Sequence, residues 1–241
     1  MTEFDVVELP SKGIYYENKK KALKVSYLTA FDENILSSPN LANNSNVIEE
    51  LLRRKILDKD ININELVEED RQAVLIFLRN TSFGSDYVFN IKDPKTDKEF
   101  SYTVDLSVLK IKDFNLEEDK NGEYSYFMEK SKNKIKFKFL TKEQQELVSK
   151  MRDNWNGNGV SPFKTKELEL MIKSINDVRD PLTIRNMIEN LPIKDSLDFK
   201  KFVSENKPGL DLVKTIPTPS GENVQVRIGF GVEFFRPFYG I

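Results

Sequence analysis

The sequence predicts an α+β protein, with helical segments and antiparallel β-hairpins grouped in separate runs. Three observations predict it. Residues 69–83 hold an apolar block suited to a buried helix. Two stretches of alternating polarity flank the turn Asp93–Asp97, as paired strands would. Residues 164–206 repeat apolar positions at helical spacing. Such grouping, in place of strict strand–helix alternation, argues against a parallel α/β sheet.

Residues 1–28 read as an extended segment. Leu9-Pro10-Ser11-Lys12-Gly13 is a turn, and Ala22–Leu28 alternates as a strand does. Lys19-Lys20-Lys21 between them reads as a solvated turn. Residues 29–84 read as a helical core segment. Thr29 opens a helix with Asp32 and Glu33 in its first turn, and Ser37-Ser38-Pro39-Asn40 ends it. After the Asn-rich loop 40–46, Asn46 is placed to cap a second helix, with Glu49 three residues on. Its apolar face is Val47, Ile48, Leu51, Leu52 and Ile56.

The central helix follows. Ala73-Val74-Leu75-Ile76-Phe77-Leu78 is far too short to span a bilayer, which takes roughly 20 residues. Periodicity alone leaves Val74–Leu78 open between helix and strand, but the preceding Glu68–Gln72 is poor strand sequence. Acidic residues at the start and Arg79 near the end suit the helix dipole, and Gly84 is a natural stop.

Residues 85–140 read as a β-hairpin segment. Asp86–Lys92 and Glu99–Asp105 pair across the first turn. Leu106–Leu116 is a connector with room for a short helical turn. Glu117–Gly122 is an acidic tip between Glu123–Glu129 and Asn133–Leu140. On the second of these strands Lys132, Lys134, Lys136 and Lys138 share one face, and Ile135, Phe137 and Phe139 the other. The lysine face is a candidate stripe for phosphate or an acidic partner. The simpler reading is the solvent face of a strand opposite Glu123 and Glu129, with lysines guarding an edge. No aromatic residue interleaves on it, so base stacking is unsupported.

Residues 141–208 read as a second helical segment. Thr141 caps a helix to about Asn154. Trp155-Asn156-Gly157-Asn158-Gly159 is a polar loop carrying the single tryptophan, either a partner anchor or a side chain folded onto its own core. Three further helices are marked by Leu168, Leu170, Met171, Ile172 and Ile175; by Leu182, Ile184, Met187, Ile188 and Leu191; and by Leu197, Phe199, Phe202 and Val203. Residues 209–241 form a C-terminal hairpin and aromatic tail. Residues 230–239 contain Phe230, Phe234, Phe235, Phe238 and Tyr239. Exposed, these rings form a patch fit for a partner; packed, they are a last strand. The sequence leaves both open.

Composition bounds the chemistry. The 241 residues make one large domain or two small ones, long enough to bury roughly 70% of the unfolded surface. Lys+Arg 37 against Asp+Glu 39 gives a net charge of -2, which makes no electrostatic case for nucleic acid or an acidic membrane. The opening residues Met1–Asp5 lack the basic and apolar regions of a signal peptide. There is no cysteine and no histidine. Disulfides, thiol nucleophiles, thiolate and imidazole metal ligands and the usual general base are therefore absent. No phosphate-binding glycine loop is present, and no pair of carboxylates has a defensible catalytic spacing. We expect no enzyme, no catalytic residue, no metal and no cofactor.

Four ordered blocks carry a resemblance. They are Leu9-Pro10-Ser11-Lys12-Gly13-Ile14-Tyr15-Tyr16, Leu28–Leu41, Val47–Leu52, and the segment from Asp70-Arg71 through Leu78-Arg79 to Phe83-Gly84-Ser85-Asp86-Tyr87. Together with Val232-Glu233-Phe234-Phe235 and Pro237 they resemble the baseplate hub assembly protein family of T-even-like contractile-tailed phages. The resemblance covers residues 9–110 and the last dozen. In many relatives it implies a Cys-Pro-x-Cys zinc knuckle at the Asp93 turn and a second near Thr218–Glu222. Here Asp93 and Thr96 stand at the first pair of cysteine positions, so metal binding does not carry over. The two hairpins are still expected to pair as a zinc-less ribbon would. The resemblance implies a non-enzymatic role in tail assembly, as chaperone or structural subunit, with other hub and tape-measure-type tail proteins as partners. The expected location is the host cytoplasm during assembly, or the virion baseplate for a retained subunit. The contact residues expected are Trp155, Phe234, Phe235, Phe238 and Tyr239. A nucleic-acid-associated role through Lys132–Lys138 is the alternative.

Overall fold

The computed structural model describes residues 3–37 and 44–235. In chain order it has β1 (Phe4–Glu8), β2 (Ala22–Ser26), α1 (Ala30–Leu36), α2 (Asn44–Lys55), α3 (Glu68–Phe83), β3 (Asp86–Lys92) and β4 (Glu99–Asp105). Then follow β5 (Tyr124–Phe127), β6 (Lys134–Phe137), α4 (Lys142–Asp153), α5 (Phe163–Met171), β7 (Ile172–Ile175), α6 (Pro181–Glu189) and α7 (Ile193–Asn206). The chain closes with β8 (Val213–Pro217), β9 (Asn223–Arg227) and a 3₁₀ turn, Val232–Phe235. Every sheet is small and antiparallel, and the α+β class stands. Among the described residues no helix is long and apolar enough to cross a membrane.

The chain forms two compact units. One comprises residues 1–112 and 208–241, the other 113–207. In the first, α3 is buried along most of its length, including Val74, Leu75 and Leu78, because its six-residue apolar block leaves no polar face there. Leu51 and Leu52 of α2, Leu23 and Val25 of β2, and Leu9 and Leu106 join it in one core. Gly84 ends α3 at φ +83, as a residue without Cβ can. Helix α2 begins at Asn44, two residues before the expected cap at Asn46.

A buried acid ties the start of the chain to α3. Asp70 has 0% exposure. Its carboxylate accepts the Ser11 backbone N–H (2.9 Å), the Ser11 hydroxyl (2.6 Å) and the Tyr16 hydroxyl (2.6 Å). Tyr16 Oη in turn accepts the Val67 N–H at 3.2 Å, at the α3 N-terminus. Gly13 is forced by this turn: its φ is +78, and a Cβ there would lie 2.6 Å from the Lys19 backbone. A second buried acid, Asp32, accepts from Thr29 N–H (2.7 Å) and hydroxyl (2.8 Å), and meets Lys55 and Arg54 of α2. Burial works against its charge, but these partners hold its carboxyl below the usual range.

In the second unit β5, β6 and β7 form one sheet with β6 in the middle. Ile135 and Phe137 are fully buried on its inner face. Phe137 meets Phe199 of α7 at 5.2 Å and Tyr124 of β5 at 5.7 Å between ring centroids. One expectation fails here. Ile172 and Ile175 do not continue the helix; α5 stops at Met171 and Ile172–Ile175 is a strand. It pairs with β6 as Ile135↔Ile175 and Phe137↔Ile172. Two β-branched residues on either side of Lys173-Ser174 suit a pleated, half-buried surface better than a helix. In consequence β6 is an interior strand, so its lysines guard no edge.

Candidate partner-contact site

The C-terminal aromatics divide. Phe234 and Phe235 are 1% and 2% exposed, buried in the first core. Phe234 lies 5.5 Å from Tyr87, 4.8 Å from Phe230 and 5.4 Å from Phe235, and Phe235 sits edge-on to Phe83. The guanidinium of Arg79 lies over both Phe234 (5.6 Å) and Tyr87 (5.5 Å). The same guanidinium donates to the carbonyls of Gly84 (2.5 Å) and Asp86 (2.7 Å), closing the end of α3. Burial lowers its pKa, with Tyr87 and Asp86 opposing. Phe234 and Phe235 are thus corrected from contact residues to core residues: their rings are spent on α3 and β3. The expected contacts Phe238 and Tyr239 lie outside the described residues.

The tips of β3–β4 and β8–β9 meet, though their strands do not join into one sheet. Asp93, 1% exposed, is the joint. Its Oδ1 accepts the N–H of Lys95 (2.9 Å) and Thr96 (3.3 Å) on its own turn. Across the gap Oδ1 accepts the Ser220 hydroxyl (2.9 Å), and Oδ2 accepts the Ser220 N–H (3.1 Å). The second turn repeats the pattern, with Thr218 Oγ1 accepting the Glu222 N–H at 3.2 Å. Burial works against the Asp93 charge, but these donors hold its carboxyl below the usual carboxylate range. The residues here do not fit zinc. One carboxylate already filled by four donors, two threonines (Thr96 and Thr218) and Gly221 offer no four-ligand set. Asp97 is no help, since it pairs with Lys92 at 2.7 Å. Among the described residues no group of three or more acids could hold a metal ion.

In the second unit two of the four stripe lysines are paired with acids. Lys136 meets Asp119 at 2.9 Å and Lys132 meets Glu129 at 3.2 Å. Lys136 and the turn amides of Asn121 and Glu123 push the Asp119 carboxyl down to about 2. Glu123 lies beside Lys138 of the stripe, which favours its charge, and it takes a two-pronged bond from Arg179 at 2.9 and 2.8 Å. Trp155 stands apart at 43% exposure. Its Nε1–H donates to the Asn158 carbonyl at 3.2 Å, and the Trp155 N–H to Arg152 at 3.3 Å. The loop turns through Gly157 and Gly159 at φ +83 and +72, which presents the indole on a short, self-bonded platform.

Sequence reasoning missed the Asp70 network, although Ser11, Tyr16 and Asp70 all sit inside the blocks that carried the resemblance. No curated protein and no solved structure is similar enough to match. A family model described as T4 bacteriophage base plate protein matches residues 1–235, nearly the whole chain, and therefore the chain belongs to that phage baseplate family.

Proposed function

We propose that the protein works at the baseplate hub of a contractile phage tail, through shape-specific protein–protein contacts and without catalysis. The match of residues 1–235 to the baseplate family carries this reading. The ordered blocks from Leu9 to Tyr87 support the narrower hub role. The partners are other hub and tape-measure-type tail proteins, met in the host cytoplasm during assembly. Trp155 is the contact residue best supported, being a large, half-exposed ring on a braced loop. No observation favours the nucleic-acid alternative, since Lys132 and Lys136 of the stripe are paired with acids.

The test is co-purification of the tagged protein with the tail proteins encoded beside it, comparing wild type with Trp155→Ala. Hub or tape-measure proteins should accompany the wild type and be depleted with the variant. Co-purification of none of them with folded wild type overturns the hub reading. Mass spectrometry of purified virions then separates a retained subunit, present in the particle, from a chaperone that leaves it.

A further inference from the structure

A cavity of about 420 Å³ opens between α5, β7 and the start of α6 in the second unit. Pocket sizes that hold a ligand begin near 300 Å³. Four cations line it: Lys166, Lys173, Arg179 and Arg185. Glu169 is the single lining acid, in a chain whose net charge is -2. Three of the four cations are held by acids. Glu169 takes Lys166 at 2.9 Å and Arg185 at 3.6 Å, and Arg185 also meets Glu189 at 3.1 Å. Arg179 is fixed by its two bonds to Glu123. Lys173 is different. Its ammonium donates to the Leu170 carbonyl at 2.7 Å and has no carboxylate partner among the described residues. Burial draws its pKa down and neighbouring Lys138 adds to that, with Glu123 opposing. A carboxylate placed beside Lys173 would relieve both effects.

The rest of the lining is apolar. Ile172 and Ile184 form a buried floor, and Leu182 stands on the rim at 72% exposure. No aromatic residue lines the cavity, so it offers nothing for a base to stack on. A small inorganic anion would leave the Leu182 rim uncovered. From this cationic wall beside an apolar rim we infer that the cavity is a docking site for a partner protein segment pairing an acidic side chain with an adjacent aliphatic one. The inference supplies the partner chemistry for the assembly role proposed above, and rests on that reading.

The experiment uses the full chain against tiled peptides covering the tail proteins encoded beside it. Bound peptides should be enriched in Asp or Glu next to Leu, Ile or Val, and binding should weaken as salt rises. Lys173→Met keeps the lysine stem and removes the charge; Arg185→Gln removes an exposed one. Lys173→Met should weaken the captured peptides about tenfold or more, and Arg185→Gln by less, because Arg185 is already shared with Glu169 and Glu189. Leu182→Ser should weaken them too, while Lys201→Met, an exposed α7 lysine outside the cavity, should not. Failure of every peptide to bind, absence of acidic enrichment, or indifference to Lys173→Met and Arg185→Gln overturns the inference. So does displacement by inorganic phosphate with Leu182→Ser without effect, which would mark a plain anion site. Intact tail proteins offered to Lys173→Met separate the two readings. If they still co-purify, the cavity site falls and the hub role stands.

Discussion

Removing the carboxylate of Asp70 should be among the costliest single changes in the first unit. Asp70→Ala leaves the Ser11 N–H and the Ser11 and Tyr16 hydroxyls facing a small void, at a position with 0% exposure. A buried donor left without a partner costs about 1–3 kcal/mol. Two features reduce the sum. The hydroxyls can rotate, and Ser11 Oγ keeps its bond from the Gly13 N–H at 3.1 Å. Loss of the acid also relieves its own burial cost. The net expectation is about 3 kcal/mol, or a melting midpoint lowered by roughly 6–12 °C for a chain of this size. Asp70→Asn keeps the shape and should cost about half as much. The pH dependence separates the two contributions. Burial raises the Asp70 pKa in the folded protein, with the Ser11 and Tyr16 bonds opposing it and Glu69 adding to it. A carboxyl raised on folding binds its proton more tightly in the folded state. Its contribution is fullest below the ordinary carboxylate range and declines as pH rises through the folded value. The stability advantage of wild type over Asp70→Asn should therefore shrink from pH 4 toward neutrality. Urea denaturation followed by circular dichroism, with amide exchange at Ser11, measures all three quantities. A loss under about 1 kcal/mol for Asp70→Ala, with Ser11 exchange unchanged, would show that the network does not tie the β1–β2 turn to α3.

Three further outcomes are expected. Asp93→Ala should lower the melting midpoint more than Ser220→Ala, because it removes all four bonds to the carboxylate while Ser220→Ala removes the hydroxyl bond alone, and the double variant should add little to Asp93→Ala; thermal melts of the set check this. Asp93 is held below its usual pKa, so its contribution is present above that range and lost as pH falls through the folded value; Asp93→Asn should flatten the acid limb of a stability–pH curve. Phe234→Ala should cost about 3–5 kcal/mol, since it empties a nearly sealed ring site beneath Arg79, whereas Trp155→Ala should stay within about 0.5 kcal/mol while reducing tail-protein co-purification; denaturation and pull-down on both variants decide it.

What the sequence made readable was local. The β3–β4 hairpin was readable to the residue, because alternation and the Asp93-Pro94 turn are both encoded within twenty residues. The start and stop of α3 were readable from its acidic first turn and Gly84. The Ile172–Ile175 strand was not, because a short apolar stretch after a helix takes its state from a partner, here Ile135 and Phe137, far along the chain. The inward turn of Phe234 and Phe235 depends likewise on Tyr87, Phe83 and Arg79. Of the expected contact residues among the described ones, Trp155 is exposed and Phe234 and Phe235 are buried. The cationic cavity draws on α5, β7 and α6, and lysines and arginines scattered among acids give no sequence signal until the fold gathers them.

The first unit is interrupted in the chain: residues 113–207 separate its two parts. Ile111 bridges Leu210, and the Lys112 N–H reaches the Gly209 carbonyl at 2.8 Å, so the polypeptide leaves and returns at one point. During synthesis α1, α2 and α3 must therefore wait for the whole inserted unit to emerge before Leu212, Phe234 and Phe235 can seal their core. A ribosome that stalls or terminates early releases a chain with that core open and its apolar side chains accessible to proteases. Premature products would thus be open to clearance, and only chains translated through Phe235 could close that core.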